Sequence, residues 1–353
     1  MNLNEAINRI KPTCGKSRQK AAEKWDTVAK PLRSLGALES TVSKIAGILG
    51  TEDVAIDKRC VVVMCADNGV VAQNITQADA IITSIMADNF AKGTTTVCTM
   101  ARFIQCDVVP VDIGINSNVS ANGLIDKKIM YGTKDLSMEP AMSRDQAIQA
   151  IEVGIEMAET LKEKGYTLMA TGEMGIGNTT SSSAIASVLL NKSVEAMTGR
   201  GAGLDDDGLK RKIKAIKKGI ELHKPNSKDP IDVLAKVGGL DIAGMTGLCI
   251  GCAALSIPVL LDGFISGVAA LIAIRLCPTC ADYMIPSHLS AEPAAGIIMD
   301  HLGFSPMIRA GMCLGEGTGA MAALGLIDMA VYTYKHTITF RELDIEAYVH
   351  FKL

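Results

Sequence analysis

Four acidic residues share one local setting: each follows a short apolar run and lies close to a glycine. They are Asp67 in CADNG, Asp112 in VDIG, Glu173 in TGEMG and Asp262 in LLDGF. Any one of them alone reads as a helix N-cap or a turn residue. All four together point to one shared rim, because ligands of open parallel sheets sit beyond the carboxyl ends of the strands.

Three glycine-rich segments add binding chemistry. Gly172-Glu-Met-Gly-Ile-Gly177-Asn-Thr-Thr180 joins a strand to a helix. Gly175 and Gly177 let backbone approach a ligand, and the amides that open the helix, with Asn178, Thr179 and Thr180, make a phosphate cradle. Thr198-Gly-Arg-Gly-Ala-Gly203 is a second loop of this kind, followed by Asp205, Asp206 and Asp207 and then Lys210, Arg211 and Lys212. Three aspartates can bind Mg²⁺, but acidic residues in a first helical turn ordinarily complement the helix dipole. In Leu314-Gly-Glu316-Gly-Thr-Gly319 a carboxylate stands between glycines with apolar neighbours on both sides. Desolvation there raises a carboxyl pKa and suits Glu316 to take a proton near neutrality. In isolation the same segment reads equally as a solvated turn before a helix.

The elements that must hold these residues alternate. Helical spacing covers Glu5 to Ile10, Ser17 to Ala29 and Ser34 to Ile48. Strands are expected at Arg59 to Ala66, Asp107 to Ile113, Tyr166 to Thr171 and Ile257 to Leu261. Ser143-x-x-Gln146 is a capping box that opens a helix to about Lys164. Further helices are expected at Asn178 to Leu190, Asp206 to His223, Phe264 to Leu276 and Thr318 to about Tyr334. The pattern predicts an α/β fold, a doubly wound and mostly parallel sheet with helices on both faces.

Composition narrows the function. Of 353 residues, 48% are hydrophobic and 21% charged, enough apolar sequence to bury a large core. A formal net charge of −3 gives no basic footprint for nucleic acid or anionic lipid, and 4% aromatic residues argue against base stacking. The N-terminus MNLNEAINRIKP has no apolar signal core, so a cytoplasmic location is expected. Most of the ten cysteines then read as small core residues. The pairs Cys249/Cys252 and Cys277/Cys280 have the spacing of a zinc site, but they lie in apolar sequence, and core packing is the favoured reading. Ile242 to Leu261 is uncharged and long enough to cross a bilayer, yet Pro258 and its glycines and cysteines favour a buried helix followed by a buried strand.

Common nucleotide and hydrolase motifs fail. Gly15-Lys16-Ser17 imitates a Walker A ending, but Ile10 stands where its first glycine belongs. There is no GxGxxG, no HExxH and no paired carboxylates after a strand of the kind that hold Mg²⁺-diphosphate. The residues alone indicate an α/β enzyme acting on a phosphorylated small molecule, with a carboxylate base.

The chain resembles the nicotinate-nucleotide–dimethylbenzimidazole phosphoribosyltransferase family along nearly its whole length. The resemblance is carried by LRSLGALE (32–39), ADNGV (66–70), GTTTV (93–97), VDIGI (111–115), SRDQA (143–147), GEMGIGNTT (172–180), TGRGAGLDDDGLKRK (198–212), PVLLDGFIS (258–266), HLSAEP (288–293) and LGEGTGA (314–320). It implies transfer of phosphoribosyl from nicotinate mononucleotide to an aromatic cobamide lower-ligand precursor, with inversion at the anomeric carbon and Glu316 as base. It further implies that Glu173, Gly175, Gly177, Asn178, Thr179, Gly201, Gly203, Lys212, Asp262 and Ser290 bind the nucleotide. No metal or other cofactor is implied. The similar fold carries a small helical domain, here 1–50 and 303–353, beside a large Rossmann-like domain at 51–302, and forms dimers.

Departures fall in the acceptor half. The family usually reads DHGV and then a stretch like VSxYPQEVT, where this chain has Asn68, Thr76, Ala80 and Ile81. With Leu314, these are the expected acceptor-binding residues. Losing a histidine and a Gln-Glu pair leaves fewer partners for the second nitrogen of a benzimidazole, and an unpaired buried polar group costs about 1–3 kcal/mol. Phenol or p-cresol is therefore the expected acceptor, with benzimidazoles also accepted and pairing with a second or paralogous chain. The ordinary dimethylbenzimidazole activity is the alternative, and a non-catalytic homologous subunit is the alternative of another class.

Overall fold

The computed structural model describes residues 1–350. Its centre is β1 (Arg59–Ala66), apolar along its length and buried after its first residue, so both of its faces must be covered. The other strands are β2 (Asp107–Gly114), β3 (Ile125–Asp126), β4 (Leu168–Met174), β5 (Val259–Leu261) and β6 (Met284–Pro286). They form one sheet in the order β3-β2-β1-β4-β5-β6, with every pairing parallel. This is the doubly wound order that reverses direction between β1 and β4. Pro110 sits in β2 just before β3 begins to pair at Val111, so its missing N–H falls at an edge, where it is tolerated.

Ahead of the sheet come α1 (Leu3–Arg9), α2 (Gly15–Thr27) and α3 (Ala37–Leu49). Between β1 and β2 lie α4 (Ile81–Lys92) and α5 (Thr96–Phe103), and α6 (Arg144–Glu163) precedes β4. After β4 the chain forms α7 (Asn178–Leu190), α8 (Val194–Met197), α9 (Asp206–His223), α10 (Pro230–Val237) and α11 (Leu240–Ala254). Then come α12 (Phe264–Leu276), α13 (Pro293–Leu302) and α14 (Thr318–His336).

Alternation along β1 splits the core in two. Cys60, Val62 and Met64 join one cluster with α6, α7, α11 and α12. Val61, Val63 and Cys65 join the other, with α2, α3, α4, α5 and α14. The first cluster contains an unusually close helix pair. A Cβ at Gly247 of α11 would overlap the carbonyl oxygen of Ile151 in α6, and one at Gly154 would overlap that of Gly244. Only glycine lets these two backbones touch. Every residue of α11 is buried, which accounts for the long uncharged stretch after Ile242. Among the described residues no helix is long and apolar enough to cross a membrane.

The two chain ends, where a small helical domain is expected, come together. Helices α2, α3 and α14 meet: the Trp25 and Tyr334 rings are 5.1 Å apart, and Val28 bridges Thr339. Yet their apolar side chains continue the second face of the sheet, while Leu3 and Ala6 of α1 belong to the first. A sheet apolar on both faces needs these helices as one of its covers. Smaller differences lie at boundaries. α3 begins at Ala37 because Gly36 turns at φ 54°. β4 runs on past Thr171 to include Glu173, and the short strands β3 and β6 carry no β-rich signal.

Candidate active site

At the reversal point, the loops after β4 and β5 and the segment before α14 enclose a cavity of about 320 Å³. Glu173, Gly175, Gly177, Asn178, Thr179, Arg200, Gly201, Asp262, His288, Ser290, Glu292, Leu314 and Glu316 line it, with Ile75, Thr76, Ile82, Met86, Met174 and Ile176.

The four rim carboxylates divide into two pairs. Asp112 accepts N–H bonds from Gly114 (3.1 Å) and Ile115 (2.9 Å) and pairs with Lys128 at 2.8 Å. Asp67 accepts from the Asn116 N–H at 2.8 Å. Both tie loops together and lie outside the cavity lining. Glu173 and Asp262 line it. Asp262 also accepts from Gly319 (2.7 Å) and Ala320 (3.1 Å) on one oxygen and from Gly317 (3.1 Å) on the other. It thereby anchors the turn that carries Glu316, while burial lifts its own pKa to about 7.

Glu316 lies in that turn with φ 62°, between Gly315 (φ 90°) and Gly317 (φ 97°). A left-handed conformation is strained for glutamate and persists only where its surroundings enforce it. Its carboxyl is 7% exposed and accepts one bond, from the N–H of Val97 in the first turn of α5 at 3.3 Å. Burial raises its pKa and that single bond opposes the rise. A carboxylate so held can take up a proton inside the cavity.

Glu173 leaves β4 opposite Met64 of β1. Asn178, at the start of α7, donates its side-chain amide to Glu173 and also to Asp241 at 2.9 Å. Burial, and then the charge of Asp241, push the Glu173 pKa up to about 8. Gly177 takes φ 91° at the N-cap of α7, and the N–H groups of Asn178 and Thr180 close turns onto Gly175 and Gly177. Lys212, from α9, is 1% exposed and donates to Thr179 Oγ1 at 2.8 Å and to the Gly199 carbonyl at 3.1 Å. Burial brings its pKa down to about 8. The N–H of Gly201 meets the Glu292 carboxylate at 3.1 Å. Backbone amides, a buried lysine and small residues thus stand together beside buried carboxylates. Such an arrangement can bind a phosphate at one set of groups and perform proton chemistry at the other.

A phosphoribosyltransferase family model, DBI_PRT, matches residues 10–345. The chain belongs to this phosphoribosyltransferase family. It is 48% identical over 348 residues to the nicotinate-nucleotide–dimethylbenzimidazole phosphoribosyltransferase of Ruminiclostridium cellulolyticum, covering 99% of each chain. The enzyme of the same name from Acetivibrio thermocellus is 48% identical over 323 residues, 92% of each. The crystal structure of CobT from Thermus thermophilus superposes with a TM-score of 0.89 at 33% identity, covering 94% of this chain and 99% of that one.

In this phosphoribosyltransferase, some expected site residues lie elsewhere. Asn68, Ala80 and Ile81 are not in the cavity wall. Asn68 is buried under the Gly175–Gly177 loop, accepting from the Ser181 hydroxyl at 2.8 Å. Ala80 caps α4, and Ile81 points outward at 60% exposure. The apolar wall comes instead from Ile82 and Met86 of α4. Thr76 and Leu314 do line the cavity. Lys212 is buried behind the lining and reaches it through Thr179, whereas Gly203 is exposed and its carbonyl accepts from the Gln77 side-chain amide.

The three aspartates that open α9 are engaged locally. Asp205 caps the helix, Asp206 pairs with Arg200 and Asp207 with Lys210. Cys249 and Cys252 are buried in α11 and Cys280 is buried beyond α12, while Cys277 is half-buried. Among the described residues no three His, Cys, Asp or Glu side chains stand together as a metal site. Sequence reasoning misses Arg200, His288, Glu292 and Asp241. The first three lie inside quoted motifs and are readable there. Asp241 follows a glycine pair ahead of an apolar helix and looks like a first-turn acid.

Proposed function

We propose that this family member transfers the phosphoribosyl group of nicotinate mononucleotide to dimethylbenzimidazole. A ring nitrogen of the acceptor attacks the anomeric carbon, the bond to the pyridinium nitrogen breaks, and nicotinate leaves. Glu316 takes the proton released from the other ring nitrogen, giving an α-riboside phosphate. The Gly175–Thr179 and Gly201–Gly203 segments with Lys212 hold the phosphate. Glu173 and Ser290 face the ribose, beside Asp262. Ile82, Met86, Met174 and Leu314 take the aromatic ring, with Thr76 as a further polar group in that wall. The leaving group is already cationic, so departure needs no metal.

The observation that carries this reading is Glu316: a buried, strained carboxylate with one hydrogen bond, in a cavity beside a phosphate cradle. The names of the relatives favour dimethylbenzimidazole as the acceptor. The expectation of phenol or p-cresol rests on Asn68, Ala80 and Ile81, and that support weakens with all three outside the cavity lining. The apolar wall of Ile82 and Met86 remains compatible with a phenolic ring. The test is purified protein with nicotinate mononucleotide and dimethylbenzimidazole, phenol or p-cresol supplied separately, the products being separated by chromatography and weighed by mass spectrometry. α-Ribazole phosphate supports the benzimidazole reading, and an O-linked riboside phosphate in greater yield selects the phenolic one. No product with any acceptor overturns both.

We further propose association with a second or paralogous chain. Phe103 of α5 and Met329 and Tyr332 of α14, at 89%, 60% and 68% exposure, support it as an apolar patch on two packed helices. Sedimentation as a monomer at assay concentration would exclude self-association.

A further inference from the structure

Asp241 lies outside the cavity and has no place in the chemistry above. It opens α11 and is fully buried. Its Oδ2 accepts from Asn178 Nδ2 at 2.9 Å, and the same amide nitrogen donates to Glu173. Asn178 is thus a two-pronged spacer whose hydrogens are both taken by carboxylates. The amide has one orientation that serves both, and it needs both acceptors to stay there.

The surroundings make this more than a loop tie. A buried network that serves stability alone fills its hydrogen-bonding capacity. This one does not: Asp241 Oδ1 and Asn68 Nδ2, an acceptor and a donor, are both buried without protein partners. A Cβ at Gly175 would stand 2.8 Å from Asp241 Oδ2 and 3.2 Å from Asn68 Nδ2, so both side chains press on the turn that leads from Glu173 to Asn178. Among the described residues no cationic side chain bonds to either carboxylate. The groups that face the pair are Asp262 from the end of β5, Asp67 from the end of β1, Asn178 from α7 and the N–H of Glu316. Two carboxylates joined by one neutral amide, in a site short of positive charge, retain a proton between them.

We propose that Asp241 is a positioning residue: through the shared amide of Asn178 it fixes the Glu173 carboxyl toward the nucleotide and keeps it protonated as a hydrogen-bond donor. This rests on the nucleotide-binding reading of the cavity. The proton goes nowhere in the reaction. It stays on Glu173, where a carboxyl O–H can donate to a ribose oxygen that a carboxylate would repel.

The test compares Asp241→Asn, Asp241→Ala and Glu173→Gln with the wild-type enzyme. Turnover and KM for nicotinate mononucleotide are measured from pH 5.5 to 9, with the fold checked by circular dichroism and thermal melting. Asp241→Asn keeps an oxygen for Asn178 but removes the neighbouring charge. It should fold, and the fall of kcat/KM for the nucleotide at high pH should move to lower pH. Asp241→Ala should raise the nucleotide KM roughly twofold to tenfold, the usual worth of a neutral hydrogen bond, and leave the acceptor KM in place. Glu173→Gln, a permanent donor, should remove the Glu173 part of that alkaline limb and leave only the fall that loss of the Lys212 charge causes. An Asp241→Asn profile that superposes on the wild type would overturn the proposal. So would equal loss for both substrates in a folded Asp241→Ala enzyme. Should the wild-type enzyme itself transfer nothing, the transfer reading falls, and calorimetric titration of nicotinate mononucleotide into wild type and Asp241→Ala at pH 7 then decides the positioning role alone. Equal affinity refutes it.

Discussion

The N–H of Glu316 faces the carboxyl group of Glu173, and the Glu316 carbonyl lies against Gly172, so the main chain at the one residue packs on the strand end at the other. A side chain at Gly172 would force them apart, since its Cβ would stand 2.6 Å from the Glu316 oxygen. The two acids therefore move together, and their roles separate through their surroundings. Glu173 has an acidic neighbour and a shared amide, while Glu316 has a helix N-terminus and the cavity.

Glu316→Gln keeps shape and removes the base. Turnover should fall on the order of 10²–10⁴-fold, the usual worth of general-base catalysis, with nucleotide affinity retained. Because burial raises the Glu316 pKa, the wild-type rate should climb with pH through a midpoint above that of an ordinary glutamate. Near-normal turnover in the variant would remove Glu316 from the mechanism.

Lys212 is buried with its pKa brought down to about 8. As pH rises through that value the free enzyme loses the charge that would meet a phosphate. Nucleotide affinity should weaken there, and Lys212→Met should lower it at pH 7 and flatten the dependence. Titration calorimetry reads both. Unchanged affinity in Lys212→Met would dismiss the lysine as a phosphate ligand.

Stability should depend on pH in an unusual direction. Glu173, Asp262 and Asp241 have pKa values raised to about 8, 7 and 6 by burial. Between the unfolded values near 4 and these, the folded state binds more protons than the unfolded one, so unfolding free energy falls as pH rises. Urea midpoints for the ligand-free protein should decline from pH 5.5 to pH 8.5, and Glu173→Gln should lessen the decline. A midpoint that rises across this range would contradict the buried, protonated carboxyls.

Gly247→Ala tests the helix contact. Its methyl would overlap the Ile151 carbonyl, and overpacking of this kind costs about 1–3 kcal/mol or more. The urea midpoint should drop, and activity should drop further because α11 begins with Leu240 and Asp241. A midpoint equal to that of the wild type would show that the helices can separate freely.

EDTA should leave the transferase rate unchanged, since α9 uses its aspartates for capping and ion pairs. Loss of rate with EDTA and recovery with Mg²⁺ would reopen that cluster as a metal site.

Much of the positioning was legible because it depends on local chemistry. The glycines at 175, 177, 315 and 317 announce turns that only permissive residues make, and the runs at β1 and β2 announce strands buried on both faces. What escaped was set by partners distant in sequence. Glu173 and Asp262 look identical to Asp67 and Asp112 until one sees which of them line the cavity and which only tie loops together. Ala80 and Ile81 are expected in the acceptor wall, but helix rotation turns Ile82 and Met86 inward instead. Asp241 shows no motif, because its meaning lies in sharing Asn178 with a residue far away along the chain.

The closing of the second sheet face by α14 also sets an order of events during synthesis. Trp25 of α2 and Val42 and Ile45 of α3 leave the ribosome long before Leu324, Ile327 and Tyr334 of α14, against which they pack. Until then the outer side of β1 lacks part of its cover, and a nascent chain with exposed apolar surface invites association. Asp262, the anchor, is in place before the Gly317–Ala320 amides that it holds. Glu316, the proposed base, is therefore the last lining residue to arrive, and no chain that stops short of it can carry a complete site.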